Sequence, residues 1–166
     1  MTDPIRKADK RSQKGWSEAK ARMPKFSPIE QRYLNEHYVG RLATATKNGI
    51  PHVAAVCYAS DEELLYIDTD YESKKGRNIQ RNNRVAFIVD EYISWEKTPS
   101  YLIAEGEAAF KTGGPLFEKG RELIYAKYPK WEKEYPIAKN KSHILVIKPT
   151  KIIGWNLPKP NQSGSP

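Results

Sequence analysis

Cysteine is nearly absent: Cys57 stands alone among 166 residues. No disulfide can form within the chain, no metal site can be built on paired thiolates, and none is expected from other ligands. A single thiol suits a reducing compartment. Long apolar runs are also missing. None approaches the ~20 residues that span a bilayer, and the polar start lacks the apolar stretch of a signal peptide. These absences predict a cytoplasmic protein without membrane contact. Acidic residues are outnumbered, 20 Asp and Glu against 28 Lys and Arg, for a net charge of +8. A pI near 9.4 favours an anionic partner: a phosphorylated cofactor, a nucleic acid or an acidic surface.

The length allows one domain with a real core. Hydrophobic residues make up 39%, yet the mean hydropathy is -0.75, as polar ends diluting a core would give. Residues 1–25 read as a flexible basic arm. Within it, Trp16 with Lys14, Lys20 and Arg22 suggests docking on protein. Residues 26–156 form the domain, and 157–166, rich in Pro, Gly, Ser and Asn, read as a disordered tail.

Ser27-Pro28-Ile29-Glu30 is a helix start: a capping serine, proline at the first position and a glutamate three residues on. Ile29, Tyr33 and Leu34 share one face, and the helix ends before Gly40, with His37 as a structural residue near that end. From Arg41 the pattern changes to strand, turn, strand. Asn48-Gly49 predicts a tight hairpin with both residues at positive φ, pairing 42–46 with 52–59. Further strands are predicted at 64–68, 85–89 and 101–110, with a bulge at Gly106. A second helix after Gly113-Gly114-Pro115 turns Leu116, Phe117, Gly120, Leu123, Ile124 and Tyr128 to one side. Tyr125, Tyr128, Trp131 and Tyr135 read as core or lid packing, and 143–155 as a last strand pair interrupted at Pro149. The fold class is mainly β with flanking helices: a six-stranded antiparallel sheet closed or split as a barrel.

Between the strands at 64–68 and 85–89 lies a short helix that Ser73 can cap, with Lys74 and Lys75 in its first turn. Cations there oppose the helix dipole. A phosphate would offset that cost, since free N–H groups, a hydroxyl and two ammonium groups would converge on it. On composition alone, Lys74, Lys75, Arg77, Arg81 and Arg84 read first as a solvated basic face.

Ser73-Lys74-Lys75, followed one short helix later by Asn82, Arg84 and Val85, resembles the phosphate-holding segment of the pyridoxamine 5′-phosphate oxidase-like split β-barrel flavoproteins. The order of elements from about Phe26 to Trp155 resembles that family as well. Lys74 stands where arginine is commoner, so a bidentate contact becomes a point charge. The resemblance implies a homodimer with a cofactor, FMN or the deazaflavin coenzyme F-420, in each groove between subunits, and a small-molecule substrate. Counted back from Thr69, which matches a cofactor-contacting threonine, the ring-lining run falls on Val53, Ala54, Ala55, Val56, Cys57 and Tyr58. Tyr101 and Trp155 fall at further ring-contacting positions. The Arg-x-His signature by which pyridoxamine 5′-phosphate oxidase itself holds its substrate is absent near the C-terminus, which argues against that activity. No side chain declares itself an acid or base, and hydride transfer to a flavin needs none.

Two readings stand apart from this one. A basic nucleic-acid module would use the arm and the 73–84 helix, but no recognised motif supports it. Haem binding would rest on His52 at a strand start, and a lone strand-end histidine is usually structural.

Overall fold

The computed structural model describes residues 23–159. The basic arm up to residue 22, Trp16 included, and the tail from residue 160 lie outside the described residues. Helix α1 (Pro28–Glu36) starts as the sequence predicts. The Glu30 carboxylate accepts from the Ser27 N–H at 2.7 Å and from its hydroxyl at 2.9 Å. Tyr33 and Leu34 are buried, and the Tyr33 hydroxyl reaches the Ser100 carbonyl at 3.0 Å.

Seven strands follow: β1 (Val39–Ala45), β2 (Pro51–Cys57), β3 (Ala59–Ser60), β4 (Leu65–Asp68), β5 (Arg84–Glu91), β6 (Ser100–Lys111) and β7 (Ile144–Trp155). They form one curled antiparallel sheet in the order β2-β1-β5-β6-β7-β4-β3, a split barrel. The count exceeds the predicted six because β3, two residues long, pairs with β4 where the sequence read a continuation of β2. Between the strands lie α2 (Lys74–Arg81), α3 (Pro115–Lys127) and the short α4 (Trp131–Glu134).

Two local expectations are corrected. In the β1–β2 hairpin only Gly49 has positive φ, at 83°, and its N–H donates to Thr46 at 2.9 Å. The loop is therefore three residues, a turn over Lys47-Asn48 closed by a left-handed glycine, rather than a two-residue turn on Asn48-Gly49. Pro149 does not divide the last strand. Glu105 faces Lys151 and Gly106 faces Pro149, leaving Thr150 as an extra residue in β7. That bulge carries the proline inside a continuous strand, since the ladder is already broken there. A Cβ on Gly106 would lie 2.1 Å from the Lys148 carbonyl oxygen, so the strand crossing requires glycine.

Alternation along β4 and β7 splits the core in two. Leu65, Ile67, Leu145 and Ile147 point into the curl with Leu42, Phe87 and Leu102, while Tyr66, Ile144 and Val146 point outward beneath Phe117 and Ile124 of α3. Among the described residues nothing covers the outer face of β2-β1-β5 in this way: Val39 is 48% and Val53 64% exposed. Leu157 packs back against the inner core, so the packed chain runs one residue past the boundary read from sequence.

Candidate functional site

The site starts where β4 ends. The Thr69 N–H donates to the His143 carbonyl at 3.3 Å, which ties the loop after β4 to the start of β7. Asp70 turns the chain in the way its type favours: its carboxylate accepts from the Glu72 N–H at 2.8 Å. Its carbonyl accepts from the Ser73 N–H at 3.2 Å and the Ser73 hydroxyl at 2.7 Å. The Ser73 oxygen then accepts from the Gly76 N–H at 3.2 Å, capping α2. Ser73, predicted as both cap and phosphate ligand, thus has its hydroxyl proton committed to the turn.

What α2 leaves open is its first turn. The N–H groups of Lys74 and Lys75 have no backbone acceptor among the described residues. Lys74 is exposed and Lys75 half-buried, and neither ammonium pairs with a carboxylate among the described residues. Two free cations beside two free N–H groups, next to a positive helix end, suit a phosphate. Gly76, unremarked in the sequence reading, lets this happen. A Cβ there would lie 2.3 Å from the Tyr71 carbonyl oxygen, so only glycine brings the helix start back against the 70–73 turn. The signal available was a glycine inside a helical charge run. Tyr71 in turn stacks on His143, ring centroids 4.8 Å apart, with Phe110 edge-on. Burial lowers the pKa of His143, against the pull of Asp70 and Glu72, which favours a neutral ring in that stack. At the other end Asn78 anchors α2 to β1 through the Thr44 hydroxyl, 3.0 Å away.

The predicted ring-lining run is divided by strand alternation. Ala54 faces Leu42 and Val56 faces Gly40, on the inward side, while Ala55 faces Arg41 and Val53 faces Ala43, on the outward side. The outer face therefore receives Val53, Ala55 and Cys57. Ala54, Val56 and Tyr58 go inward, and Tyr58 is fully buried with its hydroxyl donating to the Leu34 carbonyl at 2.8 Å. Tyr101 and Trp155 lie opposite each other in register, stacked within 14° at 6.4 Å, on β6 and β7. Three strand spacings separate β2 from β6, about 14 Å at ~4.8 Å each, so one chain does not bring Tyr101 and Trp155 to the β2 residues. His52, opposite the buried Thr44, is on the inward side.

One cluster was not anticipated. Lys127 sends its ammonium to the Leu34 and His37 carbonyls, at 2.8 and 2.7 Å, and over the Tyr58 ring at 3.9 Å. It thereby caps the C-terminal carbonyls of α1. Burial lowers its pKa to about 8. Next to it the Tyr128 hydroxyl accepts from the Tyr58 N–H at 3.1 Å, has the Tyr38 and Tyr58 carbonyls within 2.9 Å, and borders the Cys57 thiol. A buried lysine at a helix end cannot be told from a surface one by sequence. His37, read as structural, holds the Tyr33 carbonyl at 2.8 Å. Among the described residues there is no metal-ligating group of three and no helix long and apolar enough to cross a membrane.

A solved F-420 reductase is 28% identical, with a TM-score of 0.56, over 74% of this chain and 94% of that one. HutZ, the haem storage protein of Vibrio cholerae, shares the fold at 15% identity and a TM-score of 0.65, over 78% of this chain and 94% of that one. A 5a,11a-dehydrotetracycline/5a,11a-dehydrooxytetracycline reductase of Streptomyces rimosus is 40% identical over 70 residues, 40% of this chain. The match spans about half, 49%, of that relative's length. The pyridoxamine 5'-phosphate oxidase family profile matches residues 28–156, the whole barrel from α1 to the end of β7, and the chain belongs to that family.

Proposed function

We propose that the chain is an oxidoreductase that binds a phosphorylated flavin, FMN in the first instance, and passes hydride between it and a small molecule. The observation that carries this reading is the open first turn of α2, where Lys74 and Lys75 have neither ion-pair nor backbone partner among the described residues. α2 packs beside β1 and β2, held there by Asn78 on the Thr44 hydroxyl and by Ile79 in the inner core; the reading runs the cofactor from the helix start to the outer face that carries Val53, Ala55 and Cys57. Small side chains at Ala43 and Ala55 leave room for a planar ring against the backbone. Lys74 and Lys75 would hold the phosphate, the Ser73 cap and Thr69 would hold the loop in shape, and the outward residues of β2 would form one wall. The bound cofactor supplies the hydride chemistry; the chain orients it and excludes water.

The reading includes a homodimer. Tyr101 and Trp155 stand apart from β2 in one chain, and the uncovered apolar face of β2-β1-β5 suits a second copy, which would bring them to the same groove. An interface of that kind must bury on the order of 1,200 Å² or more to be stable.

A deazaflavin cofactor is the second reading, supported by the 28% identity with an F-420 reductase and by the exposed Arg81 at the end of α2 and Arg84 at the start of β5, which suit a longer acidic tail. Difference spectra of the purified protein titrated with FMN and with coenzyme F-420 test both. Saturable binding of either supports the cofactor site and chooses between them, and binding of neither refutes it. Haem is not favoured, since His52 turns away from the outer face.

A further inference from the structure

Four aromatic rings form a row at the end of β2. Tyr38 meets Tyr128 edge-on at 5.8 Å, Tyr128 stacks on Trp131 at 4.5 Å and 19°, and Trp131 meets Tyr135 edge-on at 5.7 Å. The inner rings pack on the core beneath α3, as the sequence predicts for this set. The outer ones do not: Tyr38 is 57% and Tyr135 60% exposed. A contiguous run of aromatics with exposed ends is the kind of patch that marks a ligand or protein contact.

The row is rigid where it meets the sheet and open elsewhere. The Tyr128 hydroxyl is bound to the backbone of Tyr58 and Tyr38, and Lys127 lies 5.7 Å from the Tyr38 ring and 6.0 Å from Tyr128. The Trp131 indole N–H and the Tyr38 and Tyr135 hydroxyls have no hydrogen-bond partner among the described residues. Ring faces flanked by unused donors recognise flat molecules with oxygen at their edges. The ammonium already inside the cluster disfavours a cationic ligand. The row also begins at Cys57, the last outward residue of β2, whose thiol borders the Tyr128 hydroxyl.

We propose that Tyr38, Trp131 and Tyr135 form the substrate half of the site and select planar, oxygen-substituted, uncharged or anionic polycyclic molecules. This rests on the function proposed above, since it places the substrate against the edge of the cofactor wall. A ligand stacked on this row would present its rim to a ring held over Val53 and Ala55.

The test is calorimetric titration of the full chain, without cofactor, with anthraquinone-2-sulfonate as the planar probe and cyclohexanecarboxylate as a non-planar anion. The planar probe is expected to bind and the other not. Trp131→Ala and Tyr135→Ala should each weaken the probe at least tenfold, leave FMN and F-420 affinity within twofold, and leave the sedimentation coefficient unchanged. Tyr135, at the exposed end, serves where Trp131→Ala fails to fold. Probe affinity unchanged in Tyr135→Ala, equal binding of the two anions, or an altered oligomeric state, which would mark the row as a protein contact, overturns the proposal. Probe binding without any flavin or deazaflavin binding would refute the cofactor reading and leave the stacking row standing.

Discussion

The two halves of the sheet are built alike and covered differently. Around β4 and β7 both faces are packed, the curl on one side and α3 on the other, so Tyr66 and Leu65 are equally inaccessible. Around β2, β1 and β5 the described residues pack only the inner face, and the outer one shows Val39, Val53 and Ala55 to solvent. Apolar residues on a bare sheet face carry an unfavourable hydration cost that the fold itself does not remove. The two-sided half is where stability resides, and the one-sided half is where cofactor and partner would be received.

The largest expected break in that comparison is Phe117→Ala beneath α3. Deleting a fully buried ring costs about 3–5 kcal/mol, read as a lower denaturation midpoint that does not depend on protein concentration. Next comes Ile88→Asp on the bare half, where Ile88 faces Arg41 of β1 and Ile103 of β6. A carboxylate trapped between two copies should weaken association by about 2–3 kcal/mol, read by sedimentation at several concentrations. The folded single chain should lose under ~1 kcal/mol. If Ile88→Asp instead lowers stability independently of concentration, the outer face is not an interface.

The smallest effect is a pH dependence in the packed half. Lys127 titrates near 8 in the folded chain and near 10.5 when exposed. Between those values the unfolded state binds more protons, so stability should rise with pH. The two carbonyls and the Tyr58 ring that hold the ammonium oppose this, which leaves about 1 kcal/mol. Burial raises the pKa values of Tyr58, Tyr66 and Tyr128, so above pH ~10 the folded state holds more protons and stability should fall again. Denaturation midpoints between pH 7.5 and 9.5, flattened in Lys127→Met, check the sign.

Much of the barrel was readable in the chain because its signals are local. Ser27-Pro28 with Glu30 marks α1, β-branched runs mark the strands, and Gly106 marks the bulge. Pro149 misled because a proline reads as a strand break unless its own strand is known to bulge beside it, as β7 does at Thr150. The ring-lining run was drawn too wide for a different reason. A contiguous span matched to a family ignores that alternate residues of one strand point to opposite faces. Lys127 and Gly76 could not be placed by pattern, since one depends on a helix end ninety residues away and the other on a backbone approach. The Lys74-Lys75 pair was legible as charge, and its freedom from partners became visible only in three dimensions.

The most direct test of the cofactor site compares the wild-type chain with Lys74→Ala/Lys75→Ala by fluorescence titration with FMN and with F-420. Two charge-assisted contacts are worth about 3 kcal/mol together, so the double variant should bind the preferred cofactor about a hundredfold more weakly while melting at the wild-type temperature. Equal affinity in the two proteins would contradict the assignment of the open turn of α2 to a phosphate.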